Sequence, residues 1–417
     1  MTRKQYIIST ILLILAGLVL LAELIRDCTR NGDFIGYLDT GNLVLAHKDI
    51  YSDILDTWPP TYSLFCVPLA LADRFSSVLI RLAWLAGSIL ALYYTIRVTI
   101  QVVFNKPIVL TKTGNGIMLR DFIVVIPLVL VLRFIMDNLA NLQINMFMLL
   151  LASLTVYYFI HNRTWLAGFL LALSISFKVY TIFLFFYFIY KREWAIVLKT
   201  FLFLLLINAL PFFVFGFDGT LHYYVYWYKQ IASNPPSSVH LNQSLFGLIS
   251  RLVTANNPEN DFYINFLSLA HPADTYIKYA VLLAAAIYPA SLFKHKLAEK
   301  NNNKALLEYS FVFSIIPLAS ALAWKAYFIF LWFPYLLVYA LLFRTPSTVK
   351  PGTKKLLRVL FAASIVLNVL TTDGIVGKHL SDILQSLSCI TIGTILLVVI
   401  QLILYRNINK FEALARQ

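Results

Sequence analysis

The stretch YIISTILLILAGLVLLAELIRDCTRNGDFIGYLDTGN, residues 6–42, joins a long apolar run to a polar segment with two carboxylates. The apolar part, near residues 6–26, is long enough to cross about 30 Å of hydrocarbon as an α-helix. It lacks a small-x-small cleavage site, which predicts an uncleaved anchor rather than a signal peptide. The stretch therefore predicts a membrane-spanning helix that delivers Asp33 and Asp39 to one membrane surface.

The composition extends this pattern to the whole chain. Of the 417 residues, 60% are hydrophobic and 13% are charged, and the mean hydropathy is +0.76. Soluble domains of this length are much less apolar. Because apolar runs of about 20 residues recur, and a run of that length crosses a bilayer as a helix, the sequence predicts an all-α polytopic membrane protein.

The net charge of +14 does not indicate nucleic-acid binding. Lys and Arg fall in short clusters between the apolar runs, the distribution that is typical of cytoplasmic loops. A nucleic-acid groove would gather them on one soluble face, and no soluble domain is predicted. We therefore expect the lipid bilayer, and no nucleic acid, as a partner.

Threading the apolar runs between the basic clusters predicts ten full membrane spans in one integral domain, residues 1–417. They lie near residues 6–26, 76–97, 121–138, 143–160, 195–216, 276–293, 305–322, 326–343, 356–372 and 381–404. Both termini are then cytoplasmic, and two long loops, residues 27–75 and 217–275, lie outside, each with a short surface helix. Cys28 and Cys66 share the outer side, and their pairing stays open.

The segment TWLAGFLLALSISFKVYTIFLFFYFIYK, residues 164–191, does not fit this scheme because basic clusters flank it at both ends. A single helix would put one cluster on the wrong side. Two half-spans that meet at Lys178 near the outer face keep both clusters in the cytoplasm, and broken helices of this kind line functional cavities in membrane proteins. We therefore predict a hairpin, which brings the total to about twelve spans.

The sequence lacks the motifs of soluble nucleotide chemistry. It contains no P-loop, no Rossmann glycine pattern, no HExxH and no GxSxG. The histidines of the second outer loop have neither an i,i+4 partner nor clustered carboxylates, so no zinc site is predicted. We expect no cofactor and no metal, and a substrate that is carried by the membrane or lies at its outer face.

Asp33 lies a few residues beyond the first span, within GDFIGY. A carboxylate whose pKa is lifted by apolar neighbours can act as a general base towards a sugar hydroxyl. It can equally serve as the N-cap of a helix that contains Tyr37 and Gly41. The residues alone favour neither interpretation over the other.

Six blocks of sequence, taken in order, resemble glycosyltransferase family 87 of the GT-C superfamily. They are GDFIGYLDTGNLVLAHKDIY, WPPTYSLFCVPLALA, NLQINMFMLLLAS, AGFLLALSISFKVYTIFLF, NQSLFGLISRL and WKAYFIFLWFPYLL. The most specific part is an acidic-Phe-x-x-Tyr block followed by Trp-Pro-Pro, a near variant of Tyr-Pro-Pro. Together the blocks are spread over most of the chain.

The resemblance implies a GT-C-type fold and inverting transfer of a sugar from a polyprenyl-phosphate donor. The sugar would be a hexose, with mannose as the first candidate, and the acceptor a hydroxyl of a glycolipid, glycan or protein. Asp33 matches the acidic residue that acts as base, with Asp39 as the second candidate. The implied location is the inner membrane of a bacterium, with the site on the periplasmic or extracellular face.

Such a reaction also needs positive charge beside the leaving phosphate. An isolated ammonium near the middle of a bilayer costs about 2.5–3.5 kcal/mol on insertion scales, so Lys178 is the first candidate for the donor phosphate, and Arg251 and Lys325 are the others. The alternatives are a snorkelling Lys178, an ordinary loop lysine and a surface charge facing headgroups. In AWKAYFIFLWFP the chain has Lys325 and Tyr327 where the family pattern favours an acidic residue or histidine.

Further candidates for substrate binding are polar or aromatic residues near the outer face. They are Asp39, Tyr37, Trp58, Tyr62, Gln143, Asn242, Trp324 and Tyr327. Within NLQIN we expect Gln143 to belong to the site and Asn145 to tie helices together.

The alternative function is a polytopic transporter or flippase for a lipid-linked or small polar substrate. A transporter would be expected to show internal repeats and charged residues near the midplanes of several helices. This chain has no repeat and concentrates its polar residues on one face, which favours surface chemistry.

Overall fold

The computed structural model describes residues 3–52, 58–109, 116–233, 238–254, 266–269, 273–412 and 414. In chain order its helices are α1 (Arg3–Asp27), α2 (Phe34–Leu45), α3 (Pro60–Phe75), α4 (Ser77–Phe104), α5 (Phe122–Leu130), α6 (Leu132–Ala140), α7 (Asn145–Ile160), α8 (Thr164–Phe177), α9 (Ile182–Tyr190), α10 (Trp194–Asn208), α11 (Leu210–Ser233), α12 (Leu245–Val253), α13 (Ala273–Leu292), α14 (Asn303–Ala319), α15 (Trp332–Tyr339), α16 (Pro351–Ile365), α17 (Asp373–Val376), α18 (Lys378–Ser386) and α19 (Cys389–Asn407). Short 3-10 or π segments lie at Val179–Thr181, Lys325–Leu331, Ala340–Arg344, Val366–Leu370 and Ile408–Lys410. Two short parallel strands are β1 (Ile108–Val109) and β2 (Ile117–Met118), with Ile108 opposite Ile117.

The helices confirm the all-α membrane class. Within the part of the chain that the structure describes, five stretches are long and apolar enough to cross a bilayer: Tyr6–Asp27, Ser77–Phe104, Ala273–Leu292, Lys325–Arg344 and Cys389–Lys410. The number rises to as many as seven if each of the bent pairs, α5 with α6 (55°) and α10 with α11 (67°), is counted as one span. The predicted total of about twelve is not confirmed, because α7, which was predicted to be a full span, forms a helix of 16 residues, shorter than a bilayer needs.

The helical break predicted within residues 164–191 falls at Lys178. The residue has extended backbone, φ −143° and ψ 115°, between α8 and a 3-10 turn that leads into α9. Ser174 stabilises the break, since its carbonyl accepts the Lys178 N–H at 2.9 Å and its hydroxyl donates to the Thr181 hydroxyl at 2.9 Å. The path of the two halves as a re-entrant hairpin stays a prediction.

The two outer loops are more helical than predicted. Helices α3 and α12 form where helices were expected, and their position at the outer membrane surface stays a prediction. Residues 217–233, which were not expected to be helical, continue α11 beyond a kink at Gly216 (φ 69°). Aromatic residues after the kink pack against the first loop, and Tyr226 stacks on Tyr51 with ring centroids 5.1 Å apart.

The chain separates into two compact units. Gly17–Val98 and Ile135–Asn234 form the unit that we call the Asp33 unit, in which α2 packs on α3, and α8 packs on both α7 and α10. Met1–Ala16, Thr99–Phe134 and Pro235–Gln417 form the C-terminal unit, in which α5, α14 and α19 pack on the buried α15. All three cysteines are free thiols.

Candidate active site

Asp33 lies in the Asp33 unit, at the N-cap position of α2. Gly32 makes the preceding turn with φ 48°, in the left-handed region that glycine adopts at no steric cost. A Cβ at Gly32 would lie 2.5 Å from the Asn141 carbonyl oxygen, and the Asp33 N–H donates to that same oxygen at 2.9 Å. Within the described residues the Asp33 side chain does not cap α2, so its carboxylate is directed to other groups.

The carboxylate begins a chain of hydrogen bonds that ends at an ammonium. Gln143 Nε2 donates to Asp33 Oδ2, Asn145 Nδ2 donates to Gln143 Oε1 at 3.0 Å, and Lys178 Nζ donates to Asn145 Oδ1 at 3.1 Å. Tyr180 OH donates to the same Asn145 oxygen at 2.8 Å. The start of α7 thereby connects the N-cap of α2 to the break after α8. We call Asp33, Gln143, Asn145 and Lys178 the acid–amide–ammonium chain.

Because the members of this chain are largely buried, water screens the interaction between their charges only weakly. Gln143, Asn145 and Lys178 are all buried, with Asn145 fully so, and Asp33 is half-buried. Burial raises the pKa of Asp33, because desolvation penalises the ionised carboxylate, and the charge of Lys178 opposes that rise. A carboxyl group with an elevated pKa is a better proton acceptor when it is ionised.

An aromatic cluster lies beside the carboxylate. The Tyr37 ring centroid is 4.8 Å from that of Trp58 and 5.4 Å from that of Tyr62, and Tyr62 packs on Phe177, next to Lys178 in the chain. Burial, followed by smaller contributions from neighbours that include Tyr37 and Asp33, raises the pKa of Tyr62. Tyr37, Trp58 and Tyr62, all predicted to bind substrate, therefore form one cluster, and Tyr62 is close enough to Asp33 for the charge of Asp33 to act on it.

Asp39 occupies a different environment. It lies on the exposed side of α2, whereas Tyr37 and Leu38 are buried in the same helix. Asp39 is not among the members of the acid–amide–ammonium chain, and its role as alternative base stays a prediction.

Asn242 organises a turn in the C-terminal unit. Its side-chain oxygen accepts the Ala323 N–H at 3.0 Å, and its amide donates to the Ala321 carbonyl at 3.1 Å. These bonds fix the segment just before Trp324 and Lys325. They give Asn242 a structural role, while its predicted contact with substrate stays untested.

Arg251 is almost completely buried in α12, at 1% exposure. Its guanidinium donates to the carbonyls of Val239 (2.9 Å) and Asn242 (2.8 Å) and to the Ser388 hydroxyl (2.6 Å). Burial lowers the pKa of Arg251 to about 10. These contacts are all with protein groups, and phosphate binding by Arg251 stays a prediction.

Lys325, Trp324 and Tyr327 lie at the start of the Lys325–Leu331 segment. Trp324 is 42% exposed, and Lys325 and Tyr327 are half-buried. Burial acts to raise the pKa of Asp373, but the charge of Lys325, with smaller contributions, holds it below its ordinary value. Lys325 is therefore a partly accessible cation with a carboxylate close by.

Asn145 is the site residue whose position sequence reasoning missed. We expected it to tie helices together, and it does so by bonding Lys178 and Tyr180, but the same bonds make it part of the site. The signal was present in NLQIN, where Gln143 and Asn145 alternate with apolar residues at the start of a span.

The apolar helices and the acid–amide–ammonium chain define an integral membrane protein with a charged polar site. The family model of glycosyltransferase family 87 matches residues 57–320, more than half of the chain, and the protein belongs to this family. It is therefore a membrane glycosyltransferase, which favours the transferase over the transporter alternative. No curated protein matches the chain.

The matched range contains part of the site. Gln143, Asn145 and Lys178 lie inside residues 57–320, whereas Asp33 and Lys325 lie outside. The case for Asp33 therefore rests on its hydrogen bond to Gln143 and its burial.

Proposed function

We propose that this protein transfers a hexose, with mannose as the first candidate, from a polyprenyl-phosphate donor to an acceptor hydroxyl, with inversion of the anomeric centre. The observation that carries the proposal is the continuous hydrogen-bonded chain from the Asp33 carboxylate to the Lys178 ammonium. The acceptor belongs to a glycolipid, a glycan or a protein, and the reaction takes place at the outer face of a bacterial inner membrane.

The reaction is a single displacement. The Asp33 carboxylate accepts the proton of the acceptor hydroxyl, and the acceptor oxygen forms a bond to the anomeric carbon from the side opposite the phosphate. The bond from that carbon to the phosphate oxygen breaks, and the lipid phosphate leaves with the electron pair. A lipid phosphate is a good leaving group once its charge is stabilised, so one carboxylate suffices where glycoside hydrolysis normally uses two.

The other members of the chain position and charge the base. Gln143 donates to one carboxylate oxygen and thereby orients Asp33, and Asn145 holds Gln143 and Lys178 together. Lys178 is also the proposed contact for the donor phosphate. Lys325 is the second proposed contact, ahead of Arg251, because the Arg251 guanidinium already donates to three protein acceptors.

The aromatic cluster is the proposed wall of the sugar site. Tyr37, Trp58 and Tyr62 pack against one another beside Asp33, and aromatic faces suit the apolar faces of a pyranose ring. Trp324 and Tyr327 stay predicted substrate contacts.

The test compares two carboxylates of the same loop. The purified protein is incubated with labelled polyprenyl-phosphate-mannose and a membrane lipid extract, and transfer is measured for wild type, Asp33→Asn and Asp39→Asn. Loss of a general base is expected to lower the rate about 10²–10⁴-fold for Asp33→Asn, with Asp39→Asn close to wild type. Wild-type transfer by Asp33→Asn would remove Asp33 from its role, and the reverse result would move the role to Asp39.

A further inference from the structure

A basic cleft of about 510 Å³ opens in the C-terminal unit. One wall is the chain that precedes α16, including Ser347 and Val349, and the other is one face of α16. Lys354, Lys355 and Arg358, from the first turns of α16, line the cleft. This end of α16 belongs to a basic cluster predicted to be cytoplasmic, so the cleft is separate from the proposed transferase site.

The charges of this cleft are not balanced by carboxylates of the described residues, and the Arg358 guanidinium also lies over the Phe343 ring, 5.3 Å from its centroid. Within the described residues, none of Lys354, Lys355 and Arg358 pairs with a carboxylate. The neighbouring Arg344, in contrast, pairs with Asp121. The buried hydroxyl of Ser347 also has no hydrogen-bond partner among the described residues. Three cations and an unsatisfied hydroxyl in one cavity are the donors that an anionic oxygen ligand would require.

The remainder of the cleft is apolar. Val359 and Ala362 follow Lys355 and Arg358 on the same face of α16, at the i+4 spacing that aligns side chains along a helix. The lining therefore changes from cations to apolar groups as α16 enters its predicted membrane span. A phospholipid has this same order, from phosphate to acyl chain.

We propose that this cleft binds an anionic phospholipid, with the headgroup phosphate at Lys354, Lys355 and Arg358 and an acyl chain along Val359 and Ala362. The phosphate would also accept a hydrogen bond from Ser347. A free phosphate ester shares the headgroup chemistry, but it would leave the apolar half of the cleft uncovered. The proposal goes beyond sugar transfer and does not depend on it.

The test is native mass spectrometry of the purified full-length protein titrated with phosphatidylglycerol, phosphatidylcholine or sn-glycerol 1-phosphate. The variant is Lys355→Gln with Arg358→Gln, and the matched control is Lys294→Gln with Lys296→Gln, two exposed lysines of another basic cluster. Each surface cation contributes several-fold to binding of an anionic lipid. We expect phosphatidylglycerol binding to weaken about tenfold or more in the cleft variant and to stay near wild type in the control.

Two results would overturn the proposal. Equal losses in both variants would show attraction by overall charge, with no site in the cleft. Displacement of phosphatidylglycerol by an equal concentration of glycerol phosphate would assign the cleft to a free phosphate ester. Weak binding of phosphatidylcholine, which has no net charge, is the expected result for the third ligand.

Discussion

Asp33 and Lys178 are the two charged ends of one hydrogen-bonded chain, and this coupling has a measurable consequence. Burial raises the pKa of Asp33 and the charge of Lys178 opposes that rise. Removing the charge must raise the pKa of Asp33 further. Because a general base works in its ionised form, a higher pKa requires a higher pH for the same activity.

Replacement of Lys178 by Met is therefore expected to move the acidic limb of the pH dependence of kcat/KM to higher pH. Measuring transfer across a pH series for wild type and Lys178→Met checks the shift. Lys199→Met is the control, because Lys199 bonds Thr164 and lies over the Trp165 ring, outside the acid–amide–ammonium chain. An acidic limb that stays in place in Lys178→Met would separate Lys178 from the titration of Asp33.

Sequence reasoning found the residue types of the site more readily than their connection. Asp33, Gln143 and Lys178 are each unusual where they stand in an apolar chain, so each could be selected singly. The chain between them depends on Asn145 facing both Gln143 and Lys178. Residues 33, 143 and 178 are far apart in sequence, and a single sequence contains no information about the distances between helices.

The turn before α2 positions the proposed base. Gly32→Ala should place a Cβ 2.5 Å from the Asn141 carbonyl oxygen at a φ of 48°, so the turn must shift and carry Asp33 with it. A displacement of about 1 Å costs on the order of 100-fold in rate. We expect such a loss, with a lower unfolding temperature, in transfer and thermal-unfolding assays.

Gly17→Ala is the control for this prediction, since a Cβ at Gly17 meets nothing within 4 Å. It should leave both rate and unfolding temperature near wild type. Full activity in Gly32→Ala would mean that the position of Asp33 does not depend on this turn.

Helix α12 gives a second prediction at the scale of an element. Arg251→Gln removes donors from the buried carbonyl of Asn242 and the buried hydroxyl of Ser388, and each unsatisfied buried group costs about 1–3 kcal/mol. We expect a lower unfolding temperature than in wild type. Arg74→Gln, which changes an exposed arginine in α3, should have little effect.

The kinetics of the same variant separate the two roles considered for Arg251. A residue that holds the donor phosphate would raise the donor KM while the unfolding temperature stays unchanged. A residue that ties α12 to the neighbouring chain lowers the unfolding temperature instead. Measurement of both quantities on one preparation decides between them.

The element boundaries show what hydropathy can and cannot predict. The break at Lys178 was predictable because basic clusters flank the segment on both sides. The extension of α11 beyond Gly216 was not, because residues 217–233 mix polar and aromatic groups and resemble a loop in composition. Their helix is stabilised by packing of aromatic side chains against Ile50 and Tyr51, a tertiary contact that local pattern does not contain.

The predicted orientation of the whole molecule can be tested with single cysteines. Ser52→Cys lies in the first outer loop and Gly352→Cys lies in the basic region before α16, and both positions are exposed. In a Cys28→Ser background, where the remaining native cysteines are buried, a membrane-impermeant maleimide should label Ser52→Cys in intact cells. Gly352→Cys should be labelled only after permeabilisation.

The opposite labelling pattern would mean that the predicted orientation is inverted and that the proposed reaction takes place on the cytoplasmic side. Labelling of both positions in intact cells would contradict the assignment of the basic clusters to one side. The class of the fold would stand in either case, since it rests on the apolar helices themselves.

The distance in sequence between Asp33 and Gln143, 110 residues, also bears on biogenesis. Asp33 leaves the ribosome long before its amide partner, and at 5–20 residues per second the interval is roughly 5–20 s. During that time the carboxylate is without Gln143 and Lys178, and it can keep its charge only in contact with water. The growing chain therefore has to hold its first extramembrane turn in a hydrated place until α7 and α8 have been inserted.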